Sequence, residues 1–140
     1  MRFWDASAVV PLIIDEAAGP PIEARFEQTP MLVWWGTIVE ATSAVSRRER
    51  AGTLSAEKVA ESLELLFDLS MTWQEVSPSE PLRRAAQRLL RVHALRAADS
   101  LQLAAALVAA GDEPDSMEFV CRDVRLAEAA SREGLKVIAA

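Results

Sequence analysis

The sequence is poor in the residues that build disulfides and zinc centres. Its 140 residues include one cysteine, Cys121, and one histidine, His93. A lone cysteine cannot form an internal disulfide, and one cysteine with one histidine cannot supply the ligands of a Cys/His zinc site. Any metal that this chain binds must therefore be held by oxygen atoms.

Long apolar runs are also missing. The N-terminal residues Met1 to Asp5 lack the apolar core of a signal peptide, and Asp15 with Glu16 interrupts the first apolar stretch before it can span a membrane. We therefore expect a cytoplasmic protein that has no membrane partner.

Lysine is scarce, because Lys58 and Lys136 are the only two among 15 Lys and Arg. With 21 Asp and Glu the net charge is −6, which argues against nonspecific coating of DNA. The other 13 cations are arginines, whose forked guanidinium suits phosphate. A hydrophobic content of 51% argues against disorder, and the length predicts a single domain over residues 1–140.

Short apolar runs alternate with helical patterns along the chain. The runs predict strands at residues 2–4, 31–35, 72–76, 118–121 and 135–138. Helices are predicted at 37–50, from Ser55 onward, from a cap at Ser77 or Ser79 to about Val92, at 97–110, and at 124–133. A further helical stretch before residue 31 is broken at Gly19-Pro20-Pro21. This order predicts an α/β sandwich in which helices flank a small parallel sheet.

Four carboxylates are expected at one edge of that sheet. Ligands of open α/β sheets collect outside the carboxyl ends of the strands. The residues that follow strands or open the next helices are Asp5, Glu40, Asp99 and Asp123. Each has a plainer interpretation, since Asp5 and Asp123 are good helix N-caps and Glu40 alone suits a solvated surface.

Asp99 is harder to explain structurally, because its neighbours Ala97, Ala98 and Leu101 are apolar and a carboxylate among them needs a counter-charge. No lysine is adjacent to any of the four residues. Oxygen ligands favour Mg²⁺ or Mn²⁺, and such sites commonly act on phosphate esters. The residues therefore favour metal-assisted hydrolysis of phosphodiesters.

Four stretches of the sequence carry a resemblance to a known family. They are MRFWDASA at residues 1–8, VEA at 39–41, LRAADSLQLA at 95–104 and VCRDVRL at 120–126. Their order and spacing resemble the PIN-domain ribonucleases, and among these the VapC toxins of bacterial toxin–antitoxin pairs. The resemblance covers essentially the whole chain.

The resemblance implies a PIN-like three-layer sandwich and an endoribonuclease that depends on Mg²⁺ or Mn²⁺. It also implies inhibition by a cognate VapB-like antitoxin. The acidic quartet that it assigns to metal binding and catalysis is Asp5, Glu40, Asp99 and Asp123, with Ser7 as a supporting polar residue. The chain departs from the family at Cys121, where a threonine is often found two residues before the last aspartate.

Eight of the arginines fall in two stretches, at residues 47–50 and 83–96. They suit either a solvated helix face or phosphate contacts on RNA beside the cut, and Arg84, Arg88 and Arg91 are the candidate RNA contacts. His93 is expected at the surface without a catalytic role. Trp34 and Trp35 are expected to divide between the core and a dimer or partner surface, which favours a homodimer.

Rival functions lack residues that they need. An aspartyl-nucleophile phosphatase requires a second aspartate where Ser7 stands, and a receiver domain requires a lysine after a late strand, where neither lysine lies. The alternative that stays open is a catalytically silent PIN-fold module for binding or dimerisation.

Overall fold

A computed structural model describes residues 1–14 and 30–139, and these residues form strands and helices in alternation. The strands are β1 (Arg2–Trp4), β2 (Met31–Trp34), β3 (Gln74–Val76), β4 (Glu118–Cys121) and β5 (Lys136–Ala139). The helices are α1 (Ala6–Ile13), α2 (Thr37–Arg50), α3 (Ala56–Ser70), α4 (Glu80–Val92), α5 (Ala97–Ala110) and α6 (Val124–Arg132), with a 3₁₀ turn at Pro114–Ser116. The predicted break at Gly19-Pro20-Pro21 lies outside the described residues.

The sheet has the strand order β3-β2-β1-β4-β5, and every neighbouring pair is parallel. In the centre, Phe3 of β1 lies in register with Leu32 on one side and Phe119 on the other. The predicted α/β sandwich with a small parallel sheet is therefore confirmed. Parallel pairing also places the carboxyl ends of all five strands at one edge.

Alternation along the strands divides the core into two layers. Phe3 and Phe119 stack at 5.6 Å between ring centroids on the face covered by α4, α5 and α6. The adjacent residues Trp4 and Val120 point to the opposite face, where α1, α2 and α3 cover them. Both sheet faces are covered, which explains why the central strands β1, β2 and β4 carry apolar residues at consecutive positions, as in Leu32-Val33-Trp34 and Phe119-Val120.

Local signals define several helix ends. Ser79 caps α4, and its hydroxyl accepts a hydrogen bond of 3.2 Å from the backbone N–H of Leu82, which decides between the two predicted caps. Gly111 ends α5 as predicted, with a φ of 62° that favours glycine, but its ψ of −130° differs from the left-handed helical conformation expected for this stop. Within the described residues, no helix is long and apolar enough to cross a membrane.

Candidate active site

Asp5 lies at the point where β1 ends and α1 begins. Its carboxylate caps α1 by accepting a 3.1 Å hydrogen bond from the backbone N–H of Ser7 and a second, short one from the Ser7 hydroxyl. The residue is only 3% exposed. Burial raises the pKa of Asp5, the bonds from Ser7 oppose that rise, and the charge of Asp99 adds to it. Asp5 is therefore the predicted N-cap of α1, but its hydrogen bonds do not fully offset the cost of burying its negative charge.

Ser7 connects both ends of the site. Besides donating to Asp5, its hydroxyl accepts a 2.9 Å hydrogen bond from the backbone N–H of Arg122, next to Asp123. The Sγ atom of Cys121 lies 3.7 Å from the Ser7 hydroxyl and donates to the backbone carbonyl of Asp123 at 3.3 Å. Burial raises the pKa of Cys121 to about 12, so the thiol is neutral. Cys121 therefore contributes a neutral, weak hydrogen-bond donor between Ser7 and Asp123.

Glu40 extends from the first turn of α2 and is half-buried. The side-chain amide of Gln102 on α5 donates to one oxygen of the Glu40 carboxylate and, at 3.0 Å, to the hydroxyl of Thr37. The pKa of Glu40 is raised to about 7: burial is the largest cause, the bond from Gln102 opposes it, and the charges of Asp5 and Asp99 add to the rise. Glu40 is thus fixed by a contact between two helices.

Asp99 and Asp123 complete the acidic edge at the starts of α5 and α6. Asp123 is exposed and caps α6 by accepting a 3.0 Å bond from the N–H of Leu126. Asp99 is half-buried, and its apolar neighbours Ala97 and Ala98 are exposed, contrary to the apolar surroundings expected from the sequence. The first turn of α5 lies at the surface, so burial of that helix begins at Ser100.

The four carboxylates interact through their charges. Asp5 and Asp99 each raise the pKa of Glu40, and Asp123 raises the pKa of Asp99, in each case after burial as the larger cause. Within residues 1–14 and 30–139, none of the four forms an ion pair with a lysine or arginine. The charge of Arg96 opposes the raised pKa of Asp99, but burial and Asp123 outweigh it, so negative charge dominates the site. We call these four residues the acidic cluster.

The donor set fits a hard divalent cation, since every candidate ligand is a carboxylate oxygen. In the part of the chain that the structure describes, no three His, Cys, Asp or Glu side chains lie close enough together to bind one metal ion. A cation that bound here would have to draw the carboxylates of the acidic cluster together, and it would relieve their mutual repulsion.

The structure adds a residue that the sequence did not single out. Gln102 is fully buried, and its Oε1 atom has no hydrogen-bond partner among the described residues. A buried amide that leaves one atom unpaired destabilises the fold. Its two donated hydrogen bonds hold the side chains of Glu40 and Thr37 in place, which indicates a positioning role for Gln102. The signal in the sequence was one glutamine within the otherwise apolar stretch of α5, three residues after Asp99.

The predicted RNA contacts do not all lie near the acidic cluster. The guanidinium of Arg88 pairs at 2.6 Å with Glu133, which follows the last residue of α6, whereas Asp123 precedes its first residue. A helix of that length separates the two by roughly 15 Å. Arg84 and Arg91 are exposed on α4. The structure therefore does not bring Arg88 together with the carboxylates.

His93 differs from the expected surface residue. Its side chain is 7% exposed, and its Nε2 atom lies 2.8 Å from Glu133. The loop after α4 packs the ring beside this glutamate, a contact between residues 40 positions apart that the local sequence does not reveal. His93 thus belongs to a polar contact with Glu133 and Arg88.

Among solved structures, this chain is similar in fold to a chain of the FitAcB crystal structure. A chain in the crystal structure of FitAcB from Neisseria gonorrhoeae has a TM-score of 0.62 and 18% identity, with 99% of this chain and 96% of that chain covered. No protein-family model matches the sequence, and no curated protein does. At this identity the similarity shows the fold alone, which is PIN-like.

Proposed function

We propose that this chain is a cytoplasmic endoribonuclease that depends on Mg²⁺ or Mn²⁺ and acts as the toxin of a VapBC-like toxin–antitoxin pair. The observation that carries the proposal is the acidic cluster, in which carboxylates from four separate segments raise one another's pKa values and, among the described residues, none forms an ion pair with a lysine or arginine. The PIN-like fold supports it, as does the fact that FitAcB is a toxin–antitoxin complex. The motifs at residues 1–8, 39–41, 95–104 and 120–126 favour the VapC group.

The residues of the acidic cluster have separable tasks in this reaction. Asp5, Asp99 and Asp123 would hold the cation, and Glu40 would complete its ligands. A bound Mg²⁺ or Mn²⁺ supplies a polarised water and offsets the charge that develops on the phosphate. Ser7 orients Asp5, and Gln102 orients Glu40. Hydrolysis adds one water across a P–O ester bond and leaves one fragment with a phosphate and the other with a hydroxyl.

The proposed partners are RNA, an antitoxin and a second copy of the chain. Trp34 is buried while Trp35 is 55% exposed, and Val39 on α2, four residues after Trp35, is 65% exposed. An apolar helix of a VapB-like antitoxin that packs near Trp35 and α2 would bring a basic side chain toward Glu40. The same apolar surface favours a homodimer, which light scattering of the purified protein measures directly.

Cleavage of RNA by the purified protein tests the enzymatic claim. We expect cleavage in Mg²⁺ or Mn²⁺, loss of cleavage in chelator, and inhibition by Ca²⁺, whose larger and looser shell positions water poorly. Persistent cleavage in chelator would overturn the metal assignment. A protein that binds Mn²⁺ but cleaves no RNA would favour the silent binding module instead.

Growth of the host tests the toxin claim. Induction of this chain should arrest growth, and co-expression of a small neighbouring gene should restore it. The matched control is Asp99→Asn, which should leave growth unaffected at equal expression. Arrest by Asp99→Asn as strong as that by the wild type would show that the effect does not come from the acidic cluster.

A further inference from the structure

A basic cavity lies directly beside the acidic cluster. It measures about 540 Å³ and is lined by residues of α1, α2 and the segment after β4. Its polar lining includes Ser7, Arg47, Arg48 and Arg122, and none of the described residues that line it is a carboxylate. The volume falls within the roughly 300–1,000 Å³ that is usual for ligand sites. The cavity therefore combines positive charge with room for a ligand.

Ser7 forms the boundary between this cavity and the acidic cluster. Its hydroxyl donates to Asp5 on the acidic side and accepts from the backbone N–H of Arg122, whose residue lines the cavity. Asp123 follows Arg122 directly in the sequence. Negative and positive regions are thus adjacent, with one hydroxyl between them.

Two of the cavity's arginines have uncompensated charges. Arg47 and Arg122 are exposed, and within the described ranges 1–14 and 30–139 neither forms an ion pair. By contrast, Arg132 on α6 pairs with Glu128 at 2.8 Å. Unpaired guanidinium groups at a cavity wall are suited to a phosphate, which they bind through two parallel hydrogen bonds.

We propose that this cavity binds a backbone phosphate of the RNA strand adjacent to the phosphate that is cut, through Arg47 and Arg122. The inference rests on the proposed ribonuclease function and adds a place where the substrate is held. A nucleic-acid strand presents phosphates in succession, so one can lie at the acidic cluster while its neighbour lies at the arginines. Such contacts fix the register of the strand without reading its bases.

Binding of RNA without cleavage tests this placement. The protein is full-length Asp99→Asn, the probe is a short fluorescent RNA, and anisotropy is measured between about 50 and 300 mM salt. Added in that background, Arg47→Gln and Arg122→Gln should each weaken binding several-fold. Each should also flatten the slope of log affinity against log salt by about 0.7, the value for one phosphate contact of a single strand.

Two matched variants separate the cavity from general charge. Arg132→Gln removes the same charge outside the cavity and should leave the slope unchanged. Arg122→Lys retains the positive charge but loses the forked guanidinium. Its salt slope should therefore equal that of the Asp99→Asn parent, while its affinity for RNA should stay below that of the parent. Equal slopes for Arg47→Gln, Arg122→Gln and Arg132→Gln would overturn the proposal.

The remaining outcomes distinguish this inference from the proposed function. Wild-type protein that cleaves RNA while the Arg47→Gln and Arg122→Gln slopes stay unchanged would overturn the cavity alone. Flattened slopes with a wild type that cleaves nothing would support the cavity and contradict the ribonuclease. Unchanged slopes together with weaker binding of the neighbouring gene's product would overturn the RNA site and assign the cavity to a protein.

Discussion

Carboxylates occur in two opposite electrostatic settings in this molecule. Glu133 accepts hydrogen bonds from Arg88 and lies beside His93, and these contacts lower its pKa. Asp5 and Glu40 at the other end of the fold have raised pKa values, because burial and neighbouring carboxylates disfavour their charged forms. A carboxylate therefore stabilises the folded state at Glu133 and destabilises it at Asp5 and Glu40. Buried carboxylates without a compensating positive charge are typical of functional sites.

The largest effect should come from neutralising the acidic cluster. Asp5→Asn, Glu40→Gln, Asp99→Asn and Asp123→Asn should each reduce RNA cleavage by at least about 100-fold, because each removes a charged ligand or its partner. Asparagine is as good an N-cap as aspartate, so the variants at positions 5 and 123 should keep the helices intact. Circular dichroism and single-turnover cleavage measure the two properties.

The matched control for this series is Glu133→Gln, an equal change of charge in the other setting. It should cleave RNA at the wild-type rate. A comparable loss of cleavage in Glu133→Gln, or full cleavage in Asp99→Asn, would remove the distinction between the two groups of carboxylates.

A smaller effect is expected from the residue that holds Glu40. Gln102→Leu keeps the volume of a buried side chain but removes the hydrogen bond to Glu40, and partners of this kind typically alter metal affinity or activity by roughly 10- to 100-fold. The same substitution at the exposed Gln87 of α4 is the control. If both variants cleave equally and bind Mn²⁺ equally, then Gln102 is only a structural residue.

Removal of the compensated carboxylate should affect stability rather than activity. Glu133→Gln should lower the free energy of unfolding by about 1 kcal/mol, because the ion pair with the exposed Arg88 is screened by solvent. Denaturant titration measures the loss. A double variant with Arg88→Gln should be no less stable than Glu133→Gln alone, and a further loss of similar size would mean that the two residues act independently.

The pH dependence of stability should differ in sign between the two settings. Glu40 has a pKa of about 7 in the folded protein and 4.5 as its ordinary value, so the folded state gains protons and stability as the pH falls from 7 toward 4.5. The stabilisation by Glu133 is complete above its ordinary pKa and is lost only as the pH falls through its lowered value.

Thermal unfolding of metal-free protein at about pH 7.5 and pH 5.5 measures this difference. The wild type should be more stable at the lower pH by on the order of 1 kcal/mol, and Glu40→Gln should lose part of that gain. An identical gain in both proteins would show that Glu40 does not titrate in this range.

Local patterns of the sequence predict the fold well. Strand positions follow from short apolar runs, and Gly111 and the cap at Ser79 mark helix ends through local chemistry. The parallel direction of the strands follows from their alternation with helices, whereas the strand order β3-β2-β1-β4-β5 comes from the structure. The positions of Asp5 and Asp123 after β1 and β4 follow from the same logic.

Contacts between distant helices could not be predicted in this way. The bond from Gln102 to Glu40 joins residues 62 positions apart, and the pairing of Arg88 with Glu133 joins residues 45 apart. Both depend on how helices cross, which periodicity does not specify. For the same reason the sequence suggested apolar surroundings for Asp99, although the start of α5 lies at the surface.

Calorimetric titration of Mn²⁺ into metal-free protein tests the central claim most directly, with wild type, Asp99→Asn and Glu133→Gln compared at one pH. The account predicts saturable binding by the wild type and by Glu133→Gln, and loss of binding in Asp99→Asn. Equal Mn²⁺ binding by all three proteins, or none by the wild type, would contradict the claim that the acidic cluster is a metal site.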